Sequence, residues 1–189
     1  MDIVTAPHPT LREKAEEIKN LDKKSREILN NLRKTLQNKQ DPPGVGLAGP
    51  QVDKKIRAFA IRPVMERGED DVAVEIFVNP KITKHSQDQV LGENEDNPDL
   101  EGCLSIPKIY GPVPRWDWIE LEYQLFQDNQ LKDRTKKFQG FPARIVQHEL
   151  DHLNGILFTD YLLKYDLPAY MAKGEELIEI IDRSILEVY

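Results

Sequence analysis

Two histidines and a glutamate stand at a spacing that suits a metal centre. The segment Gln147–His152 contains the pattern H-E-x-x-H, with His148 and His152 four residues apart. On a helix, side chains four residues apart project from one face and can reach a single ion. Glu149 points elsewhere and could take a proton from a water activated by that ion. The pattern predicts a hydrolytic metal site if the segment is helical and a third ligand exists.

The residues around the motif favour a helix. Apolar residues recur at helical spacing and form a stripe apart from the two histidines: Val146, Leu150, Leu153 and Leu157. Pro142 suits the first turn of such a helix, where no backbone donor is needed. The alternative is an amphipathic core helix with two incidental histidines, and the motif alone does not decide between them.

A catalytic ion with one open position needs a third protein ligand. The metzincin pattern requires a histidine at position 158, but Phe158 stands there, so this class is excluded. One remaining source is the single cysteine, Cys103, whose thiolate is a strong ligand for iron or zinc. The other is a downstream glutamate on a predicted C-terminal helix, as in thermolysin-like zinc endopeptidases, with the candidates Glu175, Glu176 and Glu179.

A glycine-rich segment, Gly44–Gln51, follows two prolines that end the preceding helix. It lacks the Lys-Ser/Thr pair of a phosphate loop, so nucleotide binding is not indicated. Glycines allow a backbone to lie against an extended peptide and to pair with it as a strand would. The amide of Gln51 could polarise a carbonyl or hold an oxyanion. The alternative is a tight surface turn with an exposed glutamine.

Taken together and in this order, three segments resemble the signature motifs of peptide deformylases. They are Gly44–Gln51, Glu101–Ser105 and Gln147–His152, against the family patterns G-[IV]-G-L-A-A-P-Q, E-G-C-L-S and Q-H-E-x-D-H-L. The resemblance extends to Ala6-Pro7, to Asn79-Pro80 and to the residues 155–158, and so covers nearly the whole chain.

The resemblance implies a metallohydrolase that removes the N-formyl group from the N-terminal formyl-methionine of newly made proteins. Cys103, His148 and His152 would be the metal ligands. A metal-bound hydroxide would attack the formyl carbonyl, with Glu149 as general base and acid, and formate would leave. One divalent ion per chain is expected, Fe(II) in the cell, with zinc, nickel or cobalt as replacements in purified protein.

The resemblance also implies supporting roles for other residues. Gln51 and the backbone N–H of Leu104 would stabilise the oxyanion, and Glu101 would pair with Arg115 to hold the cysteine segment in place. An apolar pocket would receive the methionine side chain. Substrate contacts are expected from Val45, Gly46, Leu47, Glu101, Phe141 and Ile145, with Val146 in or close to the pocket.

Three departures from the family patterns leave every expected catalytic residue in place. Gly49 replaces an alanine, which should loosen the glycine-rich segment, and Asp53 replaces a common glycine. The acidic stretch Leu91–Leu100 is longer than in the commonest bacterial forms.

The 189 residues are enough for one catalytic domain spanning 1–189. The net charge of −7 argues against broad nonspecific binding of nucleic acid. There is no long apolar run and no signal-peptide core, which with the single cysteine predicts a cytoplasmic protein without membrane contact. N-formyl-methionyl nascent peptides are the expected partners, and the oligomeric state stays open. A basic cluster on an early helix is typical of a solvated face, and a transient ribosome contact is the sharper hypothesis. The cluster consists of Lys23, Lys24, Arg26, Arg33, Lys34 and Lys39.

The predicted fold class is α+β, with antiparallel β-sheets packed around the central metal-binding helix, N-terminal helices and a C-terminal helix. A capping box at Thr10–Glu13 predicts a short helix through Ile18. Strands are predicted at Ile56–Ile61, Glu75–Val78 and Trp118–Phe126, with a turn at Asp128 to Gln130 and a polar return strand. An amphipathic terminal helix is predicted after Pro168 from Leu177, Ile180, Ile181 and Ile185.

Overall fold

The computed structural model of the chain describes residues 1–62, 73–94 and 97–189 and has the predicted α+β class with antiparallel sheets. The helices in the described residues are α1 (Lys23–Asn38), α2 (Phe141–Leu153) and α3 (Phe158–Lys164). The strands are β1 (Gly46–Ala48), β2 (Ala58–Ile61), β3 (Glu75–His85), β4 (Gln89–Val90), β5 (Leu100–Cys103), β6 (Ile106–Pro112), β7 (Arg115–Trp116), β8 (Trp118–Gln127), β9 (Gln130–Gln139), β10 (Tyr170–Lys173) and β11 (Glu176–Glu179).

The largest sheet has the order β1-β2-β3-β8-β9, with every neighbouring pair antiparallel, and helices cover both of its faces. Successive residues of a strand point to opposite faces. Phe59 and Phe77 therefore pack with Val146 and Leu150 of α2, forming what we call the α2 core. Residues of the other face pack against α1 and form the α1 core, which includes Leu29, Leu32, Leu36, Ala58, Ala60, Ile76 and Val78.

A second sheet, in the order β11-β10-β6-β5, carries the cysteine segment. Its apolar residues pack with α3 and form the α3 core, which includes Ile106, Ile109, Phe158 and Leu162. Cys103 is the last residue of β5 and lies beside this core. A small sheet of β4 and β7 completes the topology. The helix α2 thus lies between the large sheet and the segment that holds the cysteine.

The predicted strand pattern is confirmed in the centre of the chain. The strand β2 covers Ala58–Ile61 of the run predicted from Ile56, and β3 contains the predicted Glu75–Val78 and continues to His85. The strands β8 and β9 form a hairpin with Gln127 opposite Gln130. Asp128 and Asn129 make the turn with positive φ angles of 53° and 57°. Turns of this handedness match the twist of the strands that they join.

The predicted helix from Thr10 through Ile18 is wrong. Only one turn of 3-10 helix forms, Pro9–Arg12, and Glu13 after it is extended. The side chain of Glu13 forms an ion pair with Lys55 and does not cap a helix.

Long-range contacts override the local capping signal in this segment. The N–H of Ala15 donates to the carbonyl of Leu153 (2.9 Å), and that of Glu16 donates to the carbonyl of Lys55 (2.7 Å). The apolar residues of the segment enter three different cores, which an extended chain can reach and a short helix cannot: Leu11 the α3 core, Ala15 the α2 core and Ile18 the α1 core.

The predicted C-terminal helix is also wrong. The hairpin of β10 and β11 and a short 3-10 helix, Arg183–Val188, occupy this part of the chain. Pairing with β6, in which Met171 lies opposite Ile109, supplies the backbone partners that favour a strand. The branched apolar residues that suggested a helix also have a high propensity for strands.

Three further observations concern the predictions made for membrane contact and for the charged segments. None of the helices in the described residues has the length and apolarity to cross a bilayer. Within the acidic stretch 91–100, Glu95 and Asp96 lie outside the described residues. In the basic cluster on α1, Arg33 is partly buried and donates to the carbonyls of Val74 (3.2 Å) and Phe126 (2.7 Å), so it supports the fold.

Candidate active site

The helix α2 brings the two histidines of the motif to one face. Pro142 lies in its first turn, as predicted, and its apolar residues bury against the large sheet. His148 and His152 face Cys103, which arrives at the end of β5. One potential ligand atom from each of the three residues lies within 4.8 Å of the others, and Cys103 Sγ is 3.2 Å from His152 Nε2.

The chemistry of these three donors fits a divalent metal ion. Two imidazoles and one thiolate form a donor set that binds zinc, iron and related metals. Burial holds the pKa of His152 well below its ordinary value, which favours the neutral ring that a metal ligand must present. His148 Nδ1 is hydrogen-bonded to Glu101 (2.9 Å), so Nε2 is the nitrogen left to face the centre.

Glu101 links His148 to two arginines through hydrogen bonds. Its Oε1 accepts from Arg115 Nε (2.9 Å) and from Arg144 Nη1 (3.0 Å). Its Oε2 accepts from Arg115 Nη2 (2.8 Å) and pairs with His148 Nδ1. Burial acts to raise the pKa of Glu101, but Arg115 and His148 lower it well below its ordinary value. The carboxylate therefore stays ionised and orients the imidazole.

Arg115 extends this support to the metal-binding helix. Besides its two bonds to Glu101, it forms an ion pair with Asp151, and its guanidinium lies 4.9 Å from the ring centroid of Tyr161. The hydroxyl of Tyr161 donates to Asp151 (3.2 Å). The prediction that Glu101 pairs with Arg115 agrees with this geometry, and the network continues to a carboxylate one residue before His152.

Glu149 lies against the glycine-rich segment. A Cβ at Gly46 would lie 2.1 Å from Glu149 Oε1, so only glycine leaves room for the carboxylate there. The other oxygen, Oε2, is buried and has no hydrogen-bond partner in the described part of the chain. Burial raises the pKa of Glu149 to about 7. A carboxyl group with these properties can both take and give a proton near neutral pH.

Gln51 is buried, so the alternative of an exposed turn glutamine is wrong. Its Oε1 accepts from the N–H of Ala48 (2.8 Å), which fixes the amide. Its Nε2 donates to Ser105 Oγ (3.2 Å) and lies 3.4 Å from Cys103 Sγ. The amide N–H group of Gln51 thus faces the candidate metal centre. Leu104 lies in sequence between Cys103 and Ser105, the two residues that this amide contacts.

A groove of about 630 Å³ opens over these groups. It is lined by five of the predicted substrate-contacting residues, Val45, Gly46, Glu101, Phe141 and Ile145, and by the candidate catalytic residues Gln51, Cys103, Leu104, His148 and Glu149.

Leu47 and Val146 do not line this groove. Leu47 is completely buried in the α1 core, because in β1 it points to the face opposite Gly46 and Ala48. Val146 is likewise completely buried, in the α2 core. The predicted substrate contact of Leu47 is therefore corrected to a packing contact.

The glutamates of the thermolysin-like alternative lie outside the site. Glu176 and Glu179 are exposed on β11, and Glu175 is in the turn before it. Among the described residues, the group that could hold a metal consists of Cys103, His148 and His152 alone.

Three residues of the site did not emerge from the sequence: Ser105, Arg144 and Asp151. Helical spacing could have identified two of them, because Arg144 lies four residues before His148 and Asp151 three residues after it. Ser105 is completely buried and its N–H donates toward Cys103 Sγ (3.4 Å), a contact that needs the folded loop.

Gly49 was expected to loosen the glycine-rich segment, but it lies in a closely packed position. Gly49 is buried, and a Cβ there would lie 2.7 Å from the carbonyl oxygen of Ile56, so the segment is closely packed. Asp53 follows with a positive φ of 56°, and Thr10 Oγ1 donates to its carboxylate (2.6 Å). This contact holds a non-glycine residue in a conformation that glycine adopts more readily.

Comparison with curated proteins identifies the family. A family model described as polypeptide deformylase matches residues 1–166. The chain is 39% identical over 175 residues to a peptide deformylase of Latilactobacillus sakei subsp. sakei, with 86% of this chain and 90% of that protein covered. It is 37% identical over 163 residues to peptide deformylase 1 of Bacillus subtilis, with 86% and 90% covered.

Solved structures share the fold. A probable peptide deformylase from Synechococcus phage S-SSM7 matches with a TM-score of 0.71 at 37% identity, covering 85% of this chain and 99% of that chain. Peptide deformylase from Ehrlichia chaffeensis matches with a TM-score of 0.73 at 33% identity, covering 88% and 89%. With a family match over most of its length and relatives at 37% and 39% identity, the chain belongs to the peptide deformylase family, a family of hydrolases that act on N-formyl peptides.

Proposed function

We propose that this chain removes the formyl group from N-formyl-methionyl peptides and releases formate, using Cys103, His148 and His152 as metal ligands. The observation that carries the proposal is the convergence, beneath one groove, of these three donors with the buried carboxylate of Glu149 and the fixed amide of Gln51. Membership of the family supports the reaction, and the geometry supports the assignment of roles.

The groove suits an extended peptide. Gly44, Val45 and Gly46 provide backbone groups along one side, and β5 and β6 form the other side. The apolar side chains of Val45, Phe141 and Ile145 would contact the methionine of the substrate. An unbranched thioether is bound through contact area, which explains the lack of charged groups among these three residues.

The candidate ligands come from two rigid elements, β5 and α2, that the Glu101 network holds together. When bound, a divalent ion would polarise the formyl carbonyl and lower the pKa of water. We propose Fe(II) as the ion in the cell, with zinc, nickel or cobalt as replacements in purified protein, because thiolate and imidazole donors accept all four. Support for iron comes from the family resemblance.

The proton transfers fall to Glu149. Its Oε2 has no hydrogen-bond partner among the described residues, so it could accept a proton from a water molecule and then donate it to the leaving nitrogen. Gln51 Nε2 and the backbone N–H of Leu104 would donate to the oxygen of the formyl group as charge develops on it. The missing side chain at Gly46 leaves the room that the carboxylate of Glu149 occupies in this position.

The proposal extends to the setting of the reaction. The whole chain, 1–189, is proposed as one catalytic domain, because the α1 and α2 cores share the strands of the large sheet and the N-terminal segment enters all three cores. Nascent chains that begin with formyl-methionine are the proposed substrates. A transient contact with the ribosome stays a prediction, for which exposed Lys23, Lys24, Arg26 and Lys34 on α1 are the candidate surface.

Formate release from N-formyl-Met-Ala-Ser tests the function. We expect the metal-loaded wild type to release formate and Met-Ala-Ser. Replacing Glu149 by Gln keeps the size of the side chain but removes the proton carrier, so kcat should fall by about 10²- to 10⁴-fold while the metal content stays the same. Atomic absorption on the same samples measures the metal.

Glu122→Gln is the matched control, because Glu122 is exposed on β8, away from the groove. It should retain the activity of the wild type. Cleavage of internal peptide bonds without formate release would favour an endopeptidase, and full activity of a metal-loaded Glu149→Gln variant would refute the proposed proton carrier.

A further inference from the structure

Arg144 occupies a buried position between the groove and the Glu101 network. It lies in the first turn of α2 and is only 5% exposed. Its Nη1 donates to Glu101 Oε1 (3.0 Å) and to the carbonyl of Val113 (2.6 Å), and its Nη2 donates to the carbonyl of Val90 (3.2 Å). A single side chain therefore joins α2 to three segments that are distant from it in sequence.

We infer that Arg144 is a positioning residue of the active site: it fixes α2 against β5 through Glu101 and thereby sets the separation of His148 from Cys103. Arg144 and His148 lie one helical turn apart on the same face of α2. They bind the two oxygens of the same carboxylate, Arg144 at Oε1 and His148 at Oε2. Glu101 is two residues from Cys103 on β5. Two contacts one turn apart fix the register of the helix relative to the strand.

Arg115 does not make this contact redundant. Its three nitrogens are divided between Glu101 and Asp151, and it belongs to β7, not to the metal-binding helix. With Arg144 present, two guanidinium groups serve the buried carboxylate of Glu101 and the partly buried carboxylate of Asp151. Asp99 pairs with Arg144 from the surface. Without Arg144, the single guanidinium group of Arg115 would have to balance both of these inner carboxylates, and an excess of negative charge is costly in a protein interior.

Arg144 also ties the acidic stretch to the site. Val90, whose carbonyl it binds, and Asp99, whose Oδ2 lies 3.6 Å from its Nε, stand at the two ends of residues 91–98. The N–H of Asp99 donates to the carbonyl of Leu91 (2.9 Å), so the two ends of the stretch lie next to each other. The two ends are thereby held by the same guanidinium group that binds Glu101.

The inference rests on the proposed metal ligands, and its test includes a measurement that does not depend on activity. Arg144→Gln and Arg144→Lys would be compared with wild type in competition between protein and a chromophoric chelator for Co²⁺, in the visible spectrum of the Co²⁺ protein, and in kcat and KM on N-formyl-Met-Ala-Ser. Replacing a residue that orients a metal ligand typically lowers metal affinity by about 10- to 100-fold. We therefore expect Arg144→Gln to bind Co²⁺ more weakly by about this factor, with an altered spectrum and a lower kcat.

The Co²⁺ affinity and kcat of Arg144→Lys should lie between those of the wild type and those of Arg144→Gln. An ammonium group restores the charge but not the planar guanidinium group, which can donate to several acceptors at once. Arg134→Gln is the matched control, since Arg134 is exposed on β9, and it should behave as wild type. Circular dichroism establishes folding for each variant. If Arg144→Gln does not fold, Arg144→Lys decides.

A folded variant with the Co²⁺ affinity, spectrum and kcat of the wild type would overturn the inference. A change confined to KM would overturn it too, because it would indicate a direct contact with substrate. Inactive wild type that still shows the predicted loss of Co²⁺ affinity in the variants would refute the proposed function and leave this inference standing.

Discussion

At the scale of single residues, the site depends on where side chains are missing as much as on where they are present. Gly46 leaves the space that the carboxylate of Glu149 occupies, and Gly49 permits the backbone of Ile56 to approach the same segment. Gln51 and Ser105 are held by each other beneath the groove. These contacts give a physical reason for the composition of the glycine-rich segment that its sequence pattern does not supply.

Gly46→Ala should therefore inactivate the protein without removing its metal. The new Cβ would lie 2.1 Å from Glu149 Oε1 and 2.7 Å from Cδ, so the carboxylate must move. We expect kcat for formate release to fall by about 10²-fold or more, in line with the contribution of a positioned general base. Metal content, measured on the same preparation, should match that of the wild type.

Gly174→Ala serves as the control for a glycine-to-alanine change. Gly174 is exposed in the turn between β10 and β11, and a Cβ there would meet no atom within 4 Å. Its positive φ of 65° makes alanine cost about 1 to 2 kcal/mol, but activity should persist. Equal loss of activity in both variants would contradict the proposed clash with Glu149.

At the scale of elements, the sequence was informative where local pattern and tertiary environment agree. The helix that carries His148 was predictable because its apolar period, its proline and its motif all favour one structure. The hairpin of β8 and β9 was predictable from alternation and from its turn. The spacing of Arg144 from His148 is a further local signal, because residues four apart on a helix can bind the same partner.

Elements fixed by distant partners were not predictable in the same way. The residues from Thr10 to Glu13 match the capping pattern, but the backbone N–H of Ala15 donates to the carbonyl of Leu153, which is distant in sequence. The C-terminal apolar period fits a helix, yet pairing with β6 selects strands. The contact between Glu149 and Gly46 likewise requires two segments about one hundred residues apart to meet.

The C-terminal 3-10 helix should stabilise the fold through one buried leucine. Leu186 is 1% exposed and packs in the α3 core with residues of β6 and α3. Leu186→Ala should lower the free energy of unfolding by about 2 to 5 kcal/mol, the usual range for a buried leucine. Urea denaturation of the metal-loaded protein measures the change.

Leu177→Ala provides the comparison, because Leu177 is 47% exposed on β11. Its replacement should change the free energy of unfolding by less than about 0.5 kcal/mol, apart from small propensity effects. If the two variants were destabilised equally, the assignment of Leu186 to the α3 core would have to be abandoned.

At the scale of the whole molecule, the proposed metal would connect elements that belong to different sheets and cores. Cys103 belongs to the second sheet, whereas α2 packs on the first. An ion bound only by the folded state stabilises it by mass action, by about 2.7 kcal/mol at a free concentration one hundred times Kd. We therefore expect chelation to lower the Tm of the wild type and Ni²⁺ to restore it.

Cys103→Ala separates this effect from unspecific metal binding. The variant lacks one of the three candidate ligands, so its Tm should respond little to chelator or to Ni²⁺. A response as large as that of the wild type would show that the ion stabilises the protein from another site.

The same two proteins supply the most direct test of the central claim, that deformylation depends on a metal held by Cys103, His148 and His152. The measurement is formate release from N-formyl-Met-Ala-Ser, with the metal content of each sample determined in parallel. The account predicts that the metal-loaded wild type releases formate and that Cys103→Ala neither retains stoichiometric metal nor turns over. A Cys103→Ala variant that kept both its metal and full activity would contradict it.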